Sequence, residues 1–210
     1  MKYKAVFFDL DGTLFDTSAG IYETFDYLFK KHNVRADKSE YRSFIGPPIR
    51  LSLERFFDKD TAKDIHDEFR VYYDKYGKFN AKLYDGMENT LKVCKERGLR
   101  IYTATSKNQI MSVEITKKFG IYGYFDIIYG ADADAGRVNK EDVLIYALAQ
   151  SEEDPKECLL IGDTLYDVKG AEAVGMDCLA VLYGFGTPQE LCGKSVIGYA
   201  NGAEDITRFI

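Results

Sequence analysis

The stretch that most constrains this chain is Ala5-Val6-Phe7-Phe8-Asp9-Leu10-Asp11-Gly12-Thr13-Leu14. An apolar run stops abruptly at two carboxylates and a glycine. Val6, Phe7 and Phe8 are β-formers in a run too short for a helix, which predicts a strand buried on both faces. Asp9 then sits at the strand's C-terminal end, the edge where open parallel sheets bind ligands. Gly12 permits a sharp turn without a Cβ clash. Two acids held beside an apolar wall repel each other, and a divalent cation would relieve that repulsion. An oxygen-rich donor set favours magnesium.

The rest of the chain falls into two kinds of sequence. From 18 to about 79, apolar and aromatic residues recur at helical spacing (Ile21, Phe25, Leu28, Phe29, then Ile65, Phe69, Tyr72, Tyr73, Tyr76) with charges between them. This predicts an all-helical insert of four helices, broken at Gly46-Pro47-Pro48 because proline cannot continue a helix. The aromatic stripe reads as core rather than as a cofactor site. Beyond Gly86, predicted helices at 88–97, 109–119, 141–150 and 168–174 alternate with predicted strands at 99–105, 125–130, 157–162 and 177–183. An edge strand at 196–199 and a closing helix at 203–209 follow. Repeated βα units specify an α/β fold with a doubly wound parallel sheet and right-handed crossovers. The expected domains are a core of 1–16 with 82–210 and a helical domain of 17–81. Hinges are expected at Phe15-Asp16-Thr17-Ser18 and Ala81-Lys82-Leu83-Tyr84-Asp85-Gly86.

A parallel sheet presents its strand ends on one edge, so polar groups just past each apolar strand are candidates. Thr105-Ser106-Lys107 follows one strand. A hydroxyl from Thr105, or from Ser106, suits a phosphoryl oxygen, and a helix N-cap is the alternative use of either. Lys140 opens a predicted helix, where its charge opposes the macrodipole, and anion binding, offsetting the charge on a nucleophile and a phosphoryl group, would account for it. Arg137 is the runner-up. Leu159-Leu160-Ile161-Gly162-Asp163 repeats the opening pattern, with Asp167 four residues on. Asp132 and Asp134 lack the further ligands of a calcium loop and read as solvated.

These motifs resemble the haloacid dehalogenase-like superfamily. Asp9-Leu10-Asp11-Gly12-Thr13 matches its Asp-x-Asp-Gly-Thr signature, Thr105 its hydroxyl, Lys140 its lysine, and Gly162-Asp163-Thr164-Leu165-Tyr166-Asp167 its Gly-Asp-x-x-x-Asp motif. The helical insert falls where the family places a cap, and Gly184-Phe185-Gly186 resembles the phosphoglycolate phosphatase-like branch. The resemblance implies a Mg²⁺-dependent phosphatase acting on a small phosphorylated metabolite, phosphoglycolate-like, through an aspartyl-phosphate. A 5′-nucleotidase and a β-phosphoglucomutase-like isomerase are the alternatives. It implies Asp9 as nucleophile and Asp11 as acid and base. Phosphate would bind to Thr105, Ser106, Lys140 and Gly12. Metal would bind to Asp9, Asp11 (through its carbonyl) and Asp163, with Asp167 either a further ligand or a brace. The insert would close over substrate, with 46–50 the candidate loop that chooses the leaving group and Arg50 either meeting an anionic tail or solvated.

Composition bounds the partners. A formal charge of −6 over 210 residues offers no electrostatic case for nucleic acid or an anionic membrane. No apolar run is long enough to span a bilayer and no signal peptide is expected. Cys94, Cys158, Cys178 and Cys192 form no Cys-x-x-Cys pair, and Cys158 and Cys178 sit in apolar runs. Buried thiols fit a reducing, cytoplasmic location. His32 and His66 are expected at the surface, and the expected assembly is a monomer or weak homodimer.

Overall fold

The computed structural model describes residues 2–45 and 49–210. Two compact units emerge, Met1–Asp16 with Leu83–Ile210, and Thr17–Lys82.

In the larger unit, strand β1 (Ala5–Phe8) is fully buried, as its unbroken apolar run requires. After β2 (Phe15–Asp16) the chain departs for the helical unit, and it returns through β3 (Lys82–Leu83), which pairs with β2. It continues as α4 (Met87–Glu96), β4 (Arg100–Asn108), α5 (Gln109–Lys118), β5 (Ile127–Ala131), α6 (Lys140–Ser151), β6 (Cys158–Gly162), α7 (Leu165–Val174), β7 (Asp177–Val181) and β8 (Val196–Ala200). Six strands form one parallel sheet in the order β5-β4-β1-β6-β7-β8. β1 is central, with Phe8 opposite Thr103 on β4 and Ile161 on β6. The chain builds outward from β1 on one side, then resumes on the other. That reversal opens a crevice at the C-terminal end of β1.

Alternation along β1 divides the core. Val6 and Phe8 pack on one face with Leu91, Cys94, Ile115 and Ile206. Ala5 and Phe7 pack on the other with Val143, Leu144, Val168 and Ala171. A residue deleted from β1 would therefore disturb both layers.

Three details depart from expectation. β4 runs to Asn108, three residues further than its apolar pattern suggests, and its register with β5 shifts between Thr105 and Asn108. Gly130 on β5 makes the bulge possible, since a Cβ there would lie 2.7 Å from the Lys107 carbonyl oxygen. The closing helix is a 3₁₀ segment, Ala203–Arg208.

The third is in the helical unit. Its described residues hold α1 (Ser18–Lys31), a 3₁₀ segment (Lys38–Phe44), α2 (Ile49–Leu53), α3 (Lys59–Tyr72) and a π-turn (Tyr73–Gly77), not four regular helices. Gly46, Pro47 and Pro48, the expected break and most of the expected selector loop, lie outside the described residues; Arg50 is in α2. Phe25 contacts Phe29, Tyr41, Phe44 and Phe69, so Phe25, Phe29 and Phe69 of the aromatic stripe lie in this unit's core with Tyr73, whereas Tyr72 is half-buried and Tyr76 exposed. His32 and His66 are half-buried, and His32 Nε2 lies 2.8 Å from Glu68 Oε2. Among the described residues no helix is long and apolar enough to cross a membrane.

Candidate active site

The crevice at the end of β1 collects side chains from four parts of the chain. Asp9 follows β1 directly, its N–H donating to the Ile161 carbonyl at 2.9 Å and extending the ladder by one residue. Its side chain is buried. Gly12 then turns at φ 85°. The position needs glycine for space as well, because a Cβ would lie 2.1 Å from Asp163 Oδ2.

Asp163 follows β6 and is fully buried. Its Oδ2 accepts from the Phe185 N–H at 2.7 Å and its Oδ1 from the Thr13 hydroxyl at 3.2 Å. The Gly184-Phe185-Gly186 loop owes its glycines to this contact: a Cβ at Gly184 would meet Asp163 Cβ at 2.3 Å, and one at Gly186 its backbone oxygen at 2.1 Å. Asp167 opens α7. Its Oδ2 accepts from the Thr164 N–H and hydroxyl at 3.0 and 2.7 Å, closing a capping box.

Lys140 is the first residue of α6, whose N-cap is Asn139 in a capping box with Asp142. Its ammonium is buried and donates to Asp9 Oδ1 at 2.7 Å and the Ala104 carbonyl at 2.6 Å. It also forms an ion pair with Asp167 Oδ1 at 2.7 Å. Gly170 on α7 makes room for the lysine stem, since a Cβ there would meet Lys140 Cγ at 2.7 Å.

Asp9, Asp163 and Asp167 offer carboxylate oxygens all within 4.8 Å of one another. Burial pushes the Asp9 carboxyl up to about 6; Lys140 opposes the shift and Asp167 adds to it. Burial, then Asp167 and Asp9, push Asp163 well up. Burial works against the Lys140 charge, but Asp167 and Asp9 outweigh it and hold the ammonium above its ordinary range. Three buried carboxylates thus face one lysine, and Asp167 Oδ1 retains accepting capacity. That imbalance, on oxygen donors alone, fits a hard divalent cation such as Mg²⁺.

The other expected residues are placed differently. Asp11 is half-buried and is not part of that triad; Lys107 Nζ donates to both its oxygens at 2.9 and 2.8 Å. Thr105 is buried, and its hydroxyl accepts from the Lys107 N–H at 3.2 Å. Ser106 is exposed. Neither hydroxyl caps α5; Asn108 does, accepting from the Met111 N–H at 3.2 Å. Arg137 pairs with Asp132 at 3.2 Å and lies over the Tyr146 ring. Sequence reasoning missed Lys107 because it ended the strand at Thr105. Its only signal was a cation two residues beyond the hydroxyl.

A family profile described as haloacid dehalogenase-like hydrolase matches residues 6–181. The chain belongs to that family. This haloacid dehalogenase-like chain is 31% identical over 194 residues to a 5′-nucleotidase of Pseudomonas aeruginosa, covering 91% of this chain and 88% of that protein. It is 34% identical over 182 residues to the tyrosine-protein kinase PtkA of Mycobacterium tuberculosis, covering 86% of this chain but 62% of that protein. It is 25% identical over 183 residues to a phosphoglycolate phosphatase of Aquifex aeolicus, covering 87% and 86%. Among solved structures, a haloacid dehalogenase-like family hydrolase from Streptococcus pneumoniae superposes with a TM-score of 0.93 at 31% identity, covering 99% and 98%.

The raised carboxyls predict a pH-dependent response to metal in this haloacid dehalogenase-like fold. A carboxyl whose folded pKa exceeds its unfolded value destabilises the fold once both states are ionised. The Asp9 contribution to metal-free stability should therefore fall as pH rises from about 4 through about 6. A cation needs the ionised forms. Melting with Mg²⁺ against EDTA should show a rise in Tm at pH 7.5 that shrinks markedly by pH 5. An increment independent of pH would contradict a site made of these carboxylates.

Proposed function

We propose that this haloacid dehalogenase-like phosphatase hydrolyses small phosphate monoesters through an aspartyl-phosphate on Asp9, with Mg²⁺ as its metal. The observation that carries the reading is a buried Asp9 held by Lys140 at 2.7 Å, beside Asp163 and Asp167 and two residues before an acid paired with a different lysine, Lys107. One carboxylate is suited to attack, the others to metal, and Asp11 to proton transfer.

Asp9, Asp163 and Asp167 would hold the cation, with the Asp11 backbone carbonyl. When bound it supplies charge neutralisation for the carboxylates and for phosphoryl oxygens. The chain's own residues do the rest. An Asp9 oxygen attacks phosphorus, the ester P–O bond breaks, and the departing oxygen takes a proton from the Asp11 carboxyl. Asp11, now a carboxylate, draws a proton from water as that water attacks the phosphoryl group, and Asp9 is released. Lys140 fixes the orientation of Asp9 and offsets its charge. The Thr105 hydroxyl accepts from Lys107 and so keeps its own proton to donate to a phosphoryl oxygen.

Phosphoglycolate is the first substrate to test, since Gly184-Phe185-Gly186 carries that likeness and here braces Asp163. Nucleoside monophosphates are the second reading, favoured by the 31% identity to a 5′-nucleotidase. A phosphate-release screen with Mg²⁺ over phosphoglycolate, sugar phosphates, nucleoside monophosphates and pyrophosphate should give release from a subset, with one preferred class. β-Glucose 1-phosphate is included, with glucose 6-phosphate measured beside free phosphate. No release from any ester would overturn the reading.

A further inference from the structure

We infer that Lys107 is a positioning residue for Asp11: its ammonium fixes the rotation of the carboxyl that exchanges protons with the leaving group and with water. This rests on the assignment of Asp11 as acid and base in the proposed function.

The placement is specific. Lys107 lies in the β4 bulge, where Ser106 and Lys107 are passed over by the β5 register. A bulge re-aims side chains that regular pleating would send elsewhere. Gly130 admits it, and the Lys107 N–H is tied to the Thr105 hydroxyl. The lysine reaches across 96 residues of sequence to Asp11, its side chain only 7% exposed, with both oxygens within 2.9 Å. Most surface lysines are solvated and contribute little. A lysine this buried gives a directed charge-assisted contact.

The contact suits each half of the reaction. In the first, the Asp9–phosphorus bond forms and the ester P–O bond breaks. Its electron pair goes to the departing oxygen, which takes the Asp11 proton and leaves as an alcohol. One Asp11 oxygen then carries the proton toward that departing oxygen, so of the two contacts seen in the structure Lys107 keeps the one to the other oxygen, and that contact fixes the carboxyl's rotation. The carboxylate left behind can accept from Lys107 on both oxygens, the geometry seen in the structure. In the second, water oxygen bonds to phosphorus, the Asp9 acyl-phosphate P–O bond breaks, and a water proton returns to Asp11. The sum is ester plus water giving alcohol plus inorganic phosphate.

The test uses leaving groups. Protonation matters for alkyl phosphates, whose alkoxides leave poorly, and hardly for p-nitrophenyl phosphate. kcat/KM is compared because it reports steps up to departure of the leaving group. Lys107→Met should lower it about 10- to 100-fold on an alkyl ester that wild type turns over and under about threefold on p-nitrophenyl phosphate, with Lys107→Arg recovering most of the loss. Asp11→Asn should show the same selectivity at about 10²–10⁴-fold, and adding Lys107→Met to it should cost little more. Equal losses on both esters, or additive losses in the double variant, would overturn the positioning role, as a merely structural or phosphoryl-binding lysine gives those results. If Asp11→Asn shows no leaving-group selectivity, the assignment of Asp11 fails and takes the inference with it. Selectivity in Asp11→Asn but not in Lys107→Met overturns the inference alone.

Discussion

Asn in place of Asp9 is expected to abolish turnover, by on the order of 10⁴-fold or more, while the protein stays folded. Removing a nucleophile that works with neighbouring groups leaves only binding and electrostatics, and losses of that size are typical. The fold should survive because the substitution preserves shape. The Asn carbonyl oxygen can still accept from Lys140, which now holds Asp9 Oδ1 at 2.7 Å. Asn also removes a charge that burial opposes, since the Asp9 carboxyl is pushed up to about 6. Metal-free Asp9→Asn should therefore melt no lower than wild type at pH 7.5. Steady-state phosphate release and a melting curve on one preparation check both halves. Turnover within tenfold of wild type would remove the aspartyl-phosphate reading.

The second large effect concerns charge balance. Lys140 is the buried cation among Asp9, Asp163 and Asp167, and it touches two of them at 2.7 Å. Lys140→Met keeps the stem that packs beside Gly170 but strips the ammonium. Removing one partner of a buried ion pair typically costs about 3–5 kcal/mol, because the remaining charges cannot be rehydrated. For a chain this long that is a fall in Tm of about 10 °C. Two further outcomes separate charge from packing. Mg²⁺ should restore a larger share of stability to Lys140→Met than it adds to wild type, because the variant has more negative charge to neutralise. A second substitution, Asp167→Asn, should recover part of the loss without metal. A metal-free Lys140→Met as stable as wild type would show that these carboxyls are not held as anions.

The residues that sequence reading named differ in how local their evidence was. Asp9 and Asp163 each follow a buried β-run, a pattern carried within ten residues. Their place at the sheet edge follows once strands are assigned. Lys140 was legible as a misplaced charge at a helix start that would offset the nucleophile's charge; its direct contacts with Asp9 and Asp167 needed coordinates. The hydroxyl motif was read with its N-cap alternative open, and Asn108 turned out to be the cap. Gly184 and Gly186 were seen only as a likeness. Their physical reason, close packing on Asp163, needs coordinates.

By itself the sequence determined the α/β class, the helical character of the insert and the edge at which chemistry-bearing residues gather, because hydrophobic periodicity reports burial locally and strand direction follows from βα alternation. Tertiary structure alone decided who faces whom. Lys140 meets Asp9 across 131 residues, and Lys107 meets Asp11 across 96. Such pairings depend on strand register, on one bulge opposite Gly130 and on glycines that let backbone close on a carboxylate. A shift of a single residue redirects a side chain, and no local pattern of polarity encodes it.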